Sequence, residues 1–130
     1  GLDFFLVKYN SSGTKQWTKQ FGTSEMDEGL GITTDSNGNI FVTGITYGVL
    51  DGNSSSGEPD AFLVKYNSSG DKQWTKQFGT SSDDYGWAVE VGRDGYLYLS
   101  GFTHGAFDNN TNAGSSDIFV VRLNSNGIIQ

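Results

Sequence analysis

Two loops of the chain carry oxygen-bearing side chains at a spacing that suits a hard cation. Residues 51–60 and 108–117 share the frame D-x-N-x-[SN]-x-G-x-x-D. Calcium takes about six to eight oxygen ligands from carboxylates, amides, backbone carbonyls and water. The frame therefore predicts two calcium sites, whose ligands would be Asp51, Asn53, Ser55 and Asp60 in the first loop and Asp108, Asn110, Asn112 and Asp117 in the second.

A plainer interpretation of the same frame stays open. Asn, Asp, Ser and Gly are good turn formers, and Asp60 and Asp117 could simply cap backbone amides where a strand starts. The frame resembles an EF-hand loop without matching it, because its Gly comes one place later and its closing acid is Asp rather than a bidentate Glu. With two strong anionic ligands in each loop, any calcium affinity is expected to be weak.

Catalytic chemistry finds little support in the sequence. The chain has no cysteine, and its one histidine, His104, aligns with Tyr47 in an internal repeat, so a role for it would not be shared between copies. No G-x-S-x-G elbow is present. Trp17, Trp74 and Trp87 could stack on sugars, but their strand positions favour core packing. We expect no enzyme activity.

The loops belong to a duplicated unit. Residues 3–59 and 60–116 align without a gap and are identical at 29 of 57 positions, and Asp117 opens a third copy. Each period contains a run such as AFLVKYN, a run such as KQWTKQF, a short apolar run such as WAVEV and a run such as YLYLSGFT. Short β-branched and aromatic runs separated by Gly, Asn and Asp predict strands. The predicted strands of the second copy are 61–67, 72–78, 87–91 and 96–103.

Four strands joined by short links predict one antiparallel sheet in each period, and radial repetition of such sheets is the β-propeller plan. The predicted fold class is therefore all-β, with four-stranded antiparallel blades of a β-propeller, a 57-residue period and about two and a quarter repeats. Residues 1–24 would supply the outer two strands of a first blade, 25–81 a complete blade, and 82–130 most of a third blade with an incomplete outer strand. The run KQWTKQF is the more polar one and is expected to lie outermost in its blade.

The blocks DAFLVKYNxxG and QWxxQFGT, followed by a D-x-x-G…G-x-T segment, resemble the SBBP-type β-propeller repeat of bacterial secreted and surface proteins. The resemblance covers essentially the whole chain, although Gly92 stands where the first copy has Asp35. It implies a propeller in which LGITT or WAVEV is the innermost strand of its blade, an extracellular or cell-surface location and large modular parent proteins. The resemblance does not by itself imply an enzyme activity, because a fold alone does not supply a function.

The net charge and the number of repeats limit the classes of partner that the chain is expected to have. The net charge of −7 argues against nucleic acid, and no apolar run is long enough for membrane insertion. Loops with Glu25, Asp27 and Glu28, or Asp83 and Asp84, predict one acidic propeller face. Two blades cannot close a ring, so the expected partners are further copies of the repeat, in the same parent chain or in neighbouring chains.

Two functional classes remain open at this point. The first is a binding or interaction scaffold with a protein or glycan ligand. The second is a self-assembling subunit of a ring or extracellular filament, in which chains share strands or blades and form a homo-oligomer. In either class the isolated chain is not expected to be a stable monomer.

Overall fold

In residues 1–57 and 59–130, the part of the chain that the computed structural model describes, the backbone forms nine strands. These are β1 Phe4–Tyr9, β2 Lys15–Phe21, β3 Asp27–Thr34, β4 Ile40–Thr46, β5 Asp60–Tyr66, β6 Lys72–Phe78, β7 Asp84–Val91, β8 Leu97–Thr103 and β9 Asp117–Leu123. The starts of β6, β7, β8 and β9 each lie 57 residues after those of β2, β3, β4 and β5. The strand pattern therefore recurs in step with the duplicated sequence.

The strands form three antiparallel sheets, here called blades. Blade 1 is β1-β2, blade 2 is β3-β4-β5-β6 and blade 3 is β7-β8-β9, each in that hydrogen-bonding order. The polar strand β6 lies at an edge and the apolar strand β5 lies inside the sheet. This all-β architecture of antiparallel blades confirms the predicted fold class.

Helix is nearly absent from the described residues. A single 3₁₀ turn, Phe107–Asn109, lies in the long loop between β8 and β9. No helix in residues 1–57 or 59–130 has the length and apolar character needed to span a membrane.

The core lies between the blades rather than within them. Blades 1 and 2 share a cluster that includes Leu6, Phe21, Phe62 and Val64, and the rings of Phe4 and Phe62 stack 5.4 Å apart. Blades 2 and 3 share a second cluster of nine buried residues: Phe41, Ala61, Leu63, Val89, Leu97, Leu99, Phe119, Val121 and Leu123. Strand β5 contributes to both clusters because its successive side chains point to opposite faces of the sheet.

Strand β7 begins earlier than the sequence predicts. It starts at Asp84 rather than Trp87, because Asp84 pairs with Thr103 of β8 and donates its N–H to the carbonyl of Pro59 at 2.8 Å. A register shift between Gly86 and Ala88 lets the strand continue. The acid that was predicted to lie in a loop is therefore the first residue of a strand.

Glycine allows two kinds of close approach. Inside blade 2, a Cβ on Gly44 would lie only 1.8 Å from the carbonyl oxygen of Glu28, where β3 carries a bulge at Gly29–Gly31 opposite Gly44. Between blades 2 and 3, a Cβ on Gly86 would lie 2.4 Å from the Thr43 hydroxyl and 3.0 Å from the Gly44 carbonyl oxygen.

Candidate functional site

The first residue of the predicted calcium frame, Asp51, is held by protein donors. Its Oδ1 accepts from the Lys72 ammonium at 2.5 Å and its Oδ2 accepts from the Thr75 hydroxyl. Burial opposes ionisation of Asp51, but the hydrogen bonds from Lys72 and Thr75 and the Lys72 charge outweigh it, so its pKa is lowered. Asp51 thus ties its loop to β6.

The other predicted ligands of the first loop also contact the protein. The Asn53 amide donates to the carbonyl of Leu50 at 2.7 Å, and the Ser55 hydroxyl donates to the carbonyl of Gly57 at 2.7 Å. Asp60 is fully buried, and it accepts from the N–H groups of Ser56 and Gly57 and from the Gln77 amide at 2.9–3.1 Å. Asp60 therefore caps the backbone of its own loop.

The second loop is built in a similar way. Asp108 lies in the 3₁₀ turn with a left-handed φ of 50°. The Asn110 amide donates to the Phe107 carbonyl at 3.0 Å, and the Asn112 amide donates to the Gly105 carbonyl at 3.2 Å. Asp117 accepts the N–H of Ala113 at 2.7 Å.

Three frame carboxylates are bonded by donors of the protein itself. Asp51, Asp60 and Asp117 accept from N–H, ammonium, amide and hydroxyl groups, as the turn interpretation expects. No group of three or more Asp, Glu, His or Cys side chains in the described ranges is arranged to hold a metal ion. Each frame contains only two such acids, so calcium binding by this frame stays a prediction.

The predicted acidic loop face is wrong for two of its residues. Asp27 and Asp84 are 1% and 0% exposed and begin β3 and β7. Each accepts from the N–H and hydroxyl of the threonine four residues before it. Asp83 does lie at the surface, where its Oδ2 is 3.7 Å from Nδ1 of His104.

The tryptophans divide into two groups. Trp17 and Trp74 are half-buried against the two clusters, and the Trp74 indole donates to the Ser125 carbonyl at 3.3 Å. Trp87 instead is 57% exposed and lies near Phe102, with ring centroids 5.9 Å apart. The prediction of core packing therefore does not hold for Trp87 in this chain.

Blades 1 and 3 each leave an apolar sheet face exposed, as expected of blades that cannot close a ring. Ile118 and Val120 on β9 are 84% and 68% exposed, and Phe5 on β1 is 72% exposed. The signal was present in the sequence, because the runs of β1 and β9 are apolar at both odd and even positions, as expected of strands covered on both sides.

Tyr66 makes the free energy of unfolding depend on pH in the alkaline range. Burial, together with the nearby Asp51 charge, raises the pKa of Tyr66 from 10.0 to about 12. Because the folded state holds the proton more tightly, this contribution to stability is complete below pH 10 and is lost as the pH rises through about 12. We expect the free energy of unfolding to fall by up to about 2 kcal/mol over that range, and Tyr66→Phe to remove this part of the loss in urea titrations.

Tyr9 supplies the matched control for that experiment. It aligns with Tyr66 in the repeat but is 58% exposed. Tyr9→Phe should keep the alkaline loss of the wild-type chain. An unchanged pH dependence in Tyr66→Phe would contradict the assignment.

Comparison with known families agrees with this geometry. Residues 16–51 match the model of the SBBP beta-propeller repeat, and residues 102–127 match a domain of unknown function described as a beta-propeller. The sheets and the matches together define a β-propeller repeat protein. Within that class, residues 16–51 match the SBBP-type repeat, which confirms the resemblance noted in the sequence.

A curated relative extends the similarity beyond the matched segments. The chain is 32% identical over 107 residues to the regulatory protein FlaEY of Caulobacter vibrioides. The alignment covers 76% of this chain and 11% of the relative. The chain thus spans about a tenth of that protein.

Proposed function

We propose that the chain is a non-enzymatic segment of a secreted or cell-surface β-propeller and acts as an interaction scaffold. Further blades of the same repeat type would stack on its two open faces. The observation that carries the proposal is the pair of apolar faces that blades 1 and 3 turn away from blade 2. A relative described as a regulatory protein is compatible with such a role.

The open face of blade 3 repeats a face that is covered one repeat earlier. Ile118 and Val120 align with Ala61 and Leu63, which are fully buried between blades 2 and 3. Large exposed apolar patches mark interaction sites. The residues of blade 3 at these positions are therefore exposed and could form a further blade junction of the same kind.

The open face of blade 1 is the other half of the same type of junction. Phe5 and Tyr9 align with Phe62 and Tyr66, which are buried against blade 1. Two such faces already pack together at each of the two junctions within this chain, between blades 1 and 2 and between blades 2 and 3. For the 130-residue chain alone, the occupant is a second copy docked head to tail; in a longer parent it is the next repeat.

Sedimentation velocity tests this docking. We expect the wild-type chain to associate as its concentration rises, and the double variant Ile118→Lys/Val120→Lys to remain monomeric. Both residues are largely exposed, so the substitutions should leave the fold intact. Val49→Lys, at a loop residue that is 52% exposed, is the control and should associate like the wild type.

A monomeric wild-type chain in the sedimentation experiment would overturn the scaffold proposal. A wild-type chain that sediments as a compact monomer at every concentration, and melts cooperatively, has no need of neighbouring blades. Equal association by the wild type and the double variant would place the contact elsewhere.

A self-assembling ring or filament is the second candidate, and the sheet edges favour it. Among the described strands, β1 pairs only with β2, and β9 pairs only with β8 apart from one isolated bridge to Ile129. An apolar groove between β1 and β3, lined by Phe4, Leu6, Ile32 and Val42, lies beside the free edge of β1. Strand addition at such edges is an established mode of assembly. Rings or fibres in negative-stain images would favour this candidate, and single capped particles would favour the scaffold.

The loops would carry any ligand specificity of the scaffold. The net charge of −7 favours a basic protein surface or a cation over an anionic partner. A glycan remains the other ligand class that we propose. Binding of a lysine-rich peptide that weakens as salt is raised would support the charge argument, and binding unaffected by salt would contradict it.

A further inference from the structure

A groove of about 510 Å³ lies along β9, on the side of the strand that faces away from β8. Its lining consists of β9 itself and of the loop between β8 and β9. Ile129 and Gln130 line one end of the groove. There Ile129 forms an isolated bridge with Leu123, and the Gln130 N–H donates to the Arg122 carbonyl at 2.9 Å. The groove therefore continues along the edge of β9 from the point where these two residues stop pairing.

The corresponding place one repeat earlier is filled by strand β6. Strand β5 aligns with β9 and pairs with β4 on one side and with β6 on the other. Ile129 and Gln130 align with Lys72 and Gln73, which are the first two residues of β6. The groove therefore corresponds to the remainder of β6, whose sequence is Trp-Thr-Lys-Gln-Phe.

A glutamine of β6 is bound by the loop between β4 and β5. The Gln77 amide donates to the Gly48 carbonyl and to Asp60 Oδ2, at 2.9 Å in each case. Its side-chain oxygen accepts from the Leu50 N–H at 2.9 Å. One glutamine side chain thus bonds two groups of the loop and the first residue of β5.

A threonine of β6 is bound by the same loop. The Thr75 hydroxyl donates to the Asp51 carboxylate, and the Thr75 carbonyl accepts from the Asn53 amide at 3.4 Å. Thr75 and Gln77 are two residues apart, so their side chains lie on the same face of the strand. A Thr-x-Gln segment is therefore what this loop binds in blade 2.

The loop between β8 and β9 contains a counterpart of every group that binds Thr75 and Gln77. These counterparts all line the groove, and they are Gly105, Phe107, Asp108, Asn110 and Asp117. The two loops also share their backbone conformation. Asp51 and Asp108 both have a left-handed φ, of 48° and 50°. The Asn53 and Asn110 N–H groups donate to the carbonyl three residues earlier, at 2.9 and 3.0 Å.

The counterparts in blade 3 are accessible, whereas those in blade 2 are engaged by β6. Asp108 and Asn110 are exposed, and Asp117 is half-buried where the aligned Asp60 is 0% exposed. Among the described residues, no donor bonds the Asp108 carboxylate, and Asp117 accepts only from the Ala113 N–H. An unpaired strand edge beside such groups can accept an additional strand.

We propose that this groove binds an extended segment of a partner polypeptide that carries Thr-x-Gln, and that the segment pairs with β9 as β6 pairs with β5. The glutamine side chain bonds Gly105, Phe107 and Asp117, and the threonine hydroxyl donates to Asp108. The inference rests on the proposed scaffold role, because it names the class of protein ligand that the scaffold takes.

Fluorescence anisotropy of a labelled peptide, Trp-Thr-Lys-Gln-Phe-Gly-Thr, tests the groove in the intact chain. We expect a dissociation constant of about 10⁻⁴ M, because ordering the peptide offsets much of the binding free energy. Replacing the Gln of the peptide by Ala, or its Thr by Val, should weaken binding about tenfold, because groups of the loop lose their hydrogen bonds. Hydrogen exchange of the β9 amides should slow when the peptide binds, and exchange of the β5 amides should not change.

Two aspartates provide matched variants of the protein. Asp108→Gly removes the partner of the peptide threonine, and Asp51→Gly removes the aligned carboxylate in blade 2, where β6 is already in place. Glycine adds no backbone strain at either position, because both residues have a left-handed φ. Asp108→Gly should weaken peptide binding about tenfold, whereas Asp51→Gly should bind the peptide like the wild type.

Three results would overturn the proposal. The first is no binding at about 1 mM peptide, or equal binding by the original peptide and its Gln→Ala form. The second is slower exchange in β1 instead of β9, which would place the peptide at the other free edge. The third is a dimer that Asp108→Gly abolishes, because β2 of a second copy carries the same sequence and would then be the occupant. Sedimentation of the face variants tests the scaffold separately, so either proposal can fail without the other.

Discussion

Phe62→Ala is expected to lower the free energy of unfolding by about 3–5 kcal/mol. Phe62 is fully buried, its ring stacks on Phe4 at 5.4 Å, and it lies 6.2 Å from the ring of Phe21. Removing it leaves a cavity at the junction of blades 1 and 2, where the surrounding aromatic rings cannot collapse fully. Urea denaturation followed by tryptophan fluorescence measures the loss.

Phe5 provides the matched control, because it occupies the aligned position in the first copy but is 72% exposed. At protein concentrations too low for chains to associate, Phe5→Ala should change the free energy of unfolding by less than about 0.5 kcal/mol. Similar losses in the two variants would mean that Phe5 is covered in solution. Similar small effects would mean that Phe62 does not hold the blades together.

Gly44→Ala is expected to cost about 3 kcal/mol, although it adds a single methyl group. That methyl group would lie 1.8 Å from the carbonyl oxygen of Glu28 and 3.0 Å from the Phe62 ring. The obstruction is backbone of the paired strand β3, which cannot rotate away as a side chain does. Thermal melting by circular dichroism should show the loss directly.

Gly114→Ala is the control for that substitution. Gly114 has no atom within 4 Å of its Cβ position and lacks a left-handed φ, so Ala should be tolerated there. A stable Gly44→Ala variant would show that β3 and β4 are farther apart than the structure has them.

The strands and the edge position of β6 follow from the sequence because they depend on local alternation repeated in register, whereas the order of the other strands followed from the family resemblance. Strand β6 could be placed at an edge from its polar Gln73, Thr75 and Gln77, and β5 inside the sheet from its apolar run. Each strand assignment had to fit the sequence of every copy, so the repeat itself constrained the prediction. The β-propeller fold class required no knowledge of tertiary contacts.

The burial of Asp27 and Asp84 could not be predicted in the same way. An aspartate that follows Gly, Thr and Ser has the local signature of a loop, and only the packing of the next blade makes it the buried start of a strand. The partners of the frame carboxylates could not be predicted for a related reason. Asp51 and Asp60 meet donors from β6, namely Lys72 and Gln77, which are distant in sequence.

Trp87 shows how far burial depends on a neighbour. It aligns with Leu30 and lies on the face of blade 3 that no part of the described chain covers. Its predicted place in a core remains the expectation once another blade is stacked there, and its fluorescence emission should then shift to shorter wavelength.

The central claim is that each repeat forms one sheet and that the open face of blade 3 packs on the open face of blade 1. Cysteine cross-linking tests it directly, because the chain has no cysteine of its own. Val7→Cys and Val120→Cys place single thiols on the two faces, at positions aligned with Val64 and Leu63. When the two variants are mixed with a short bismaleimide, the claim predicts that the mixed dimer dominates over both self-linked dimers. A mixture with only self-linked dimers, or with no cross-linked product, would contradict it.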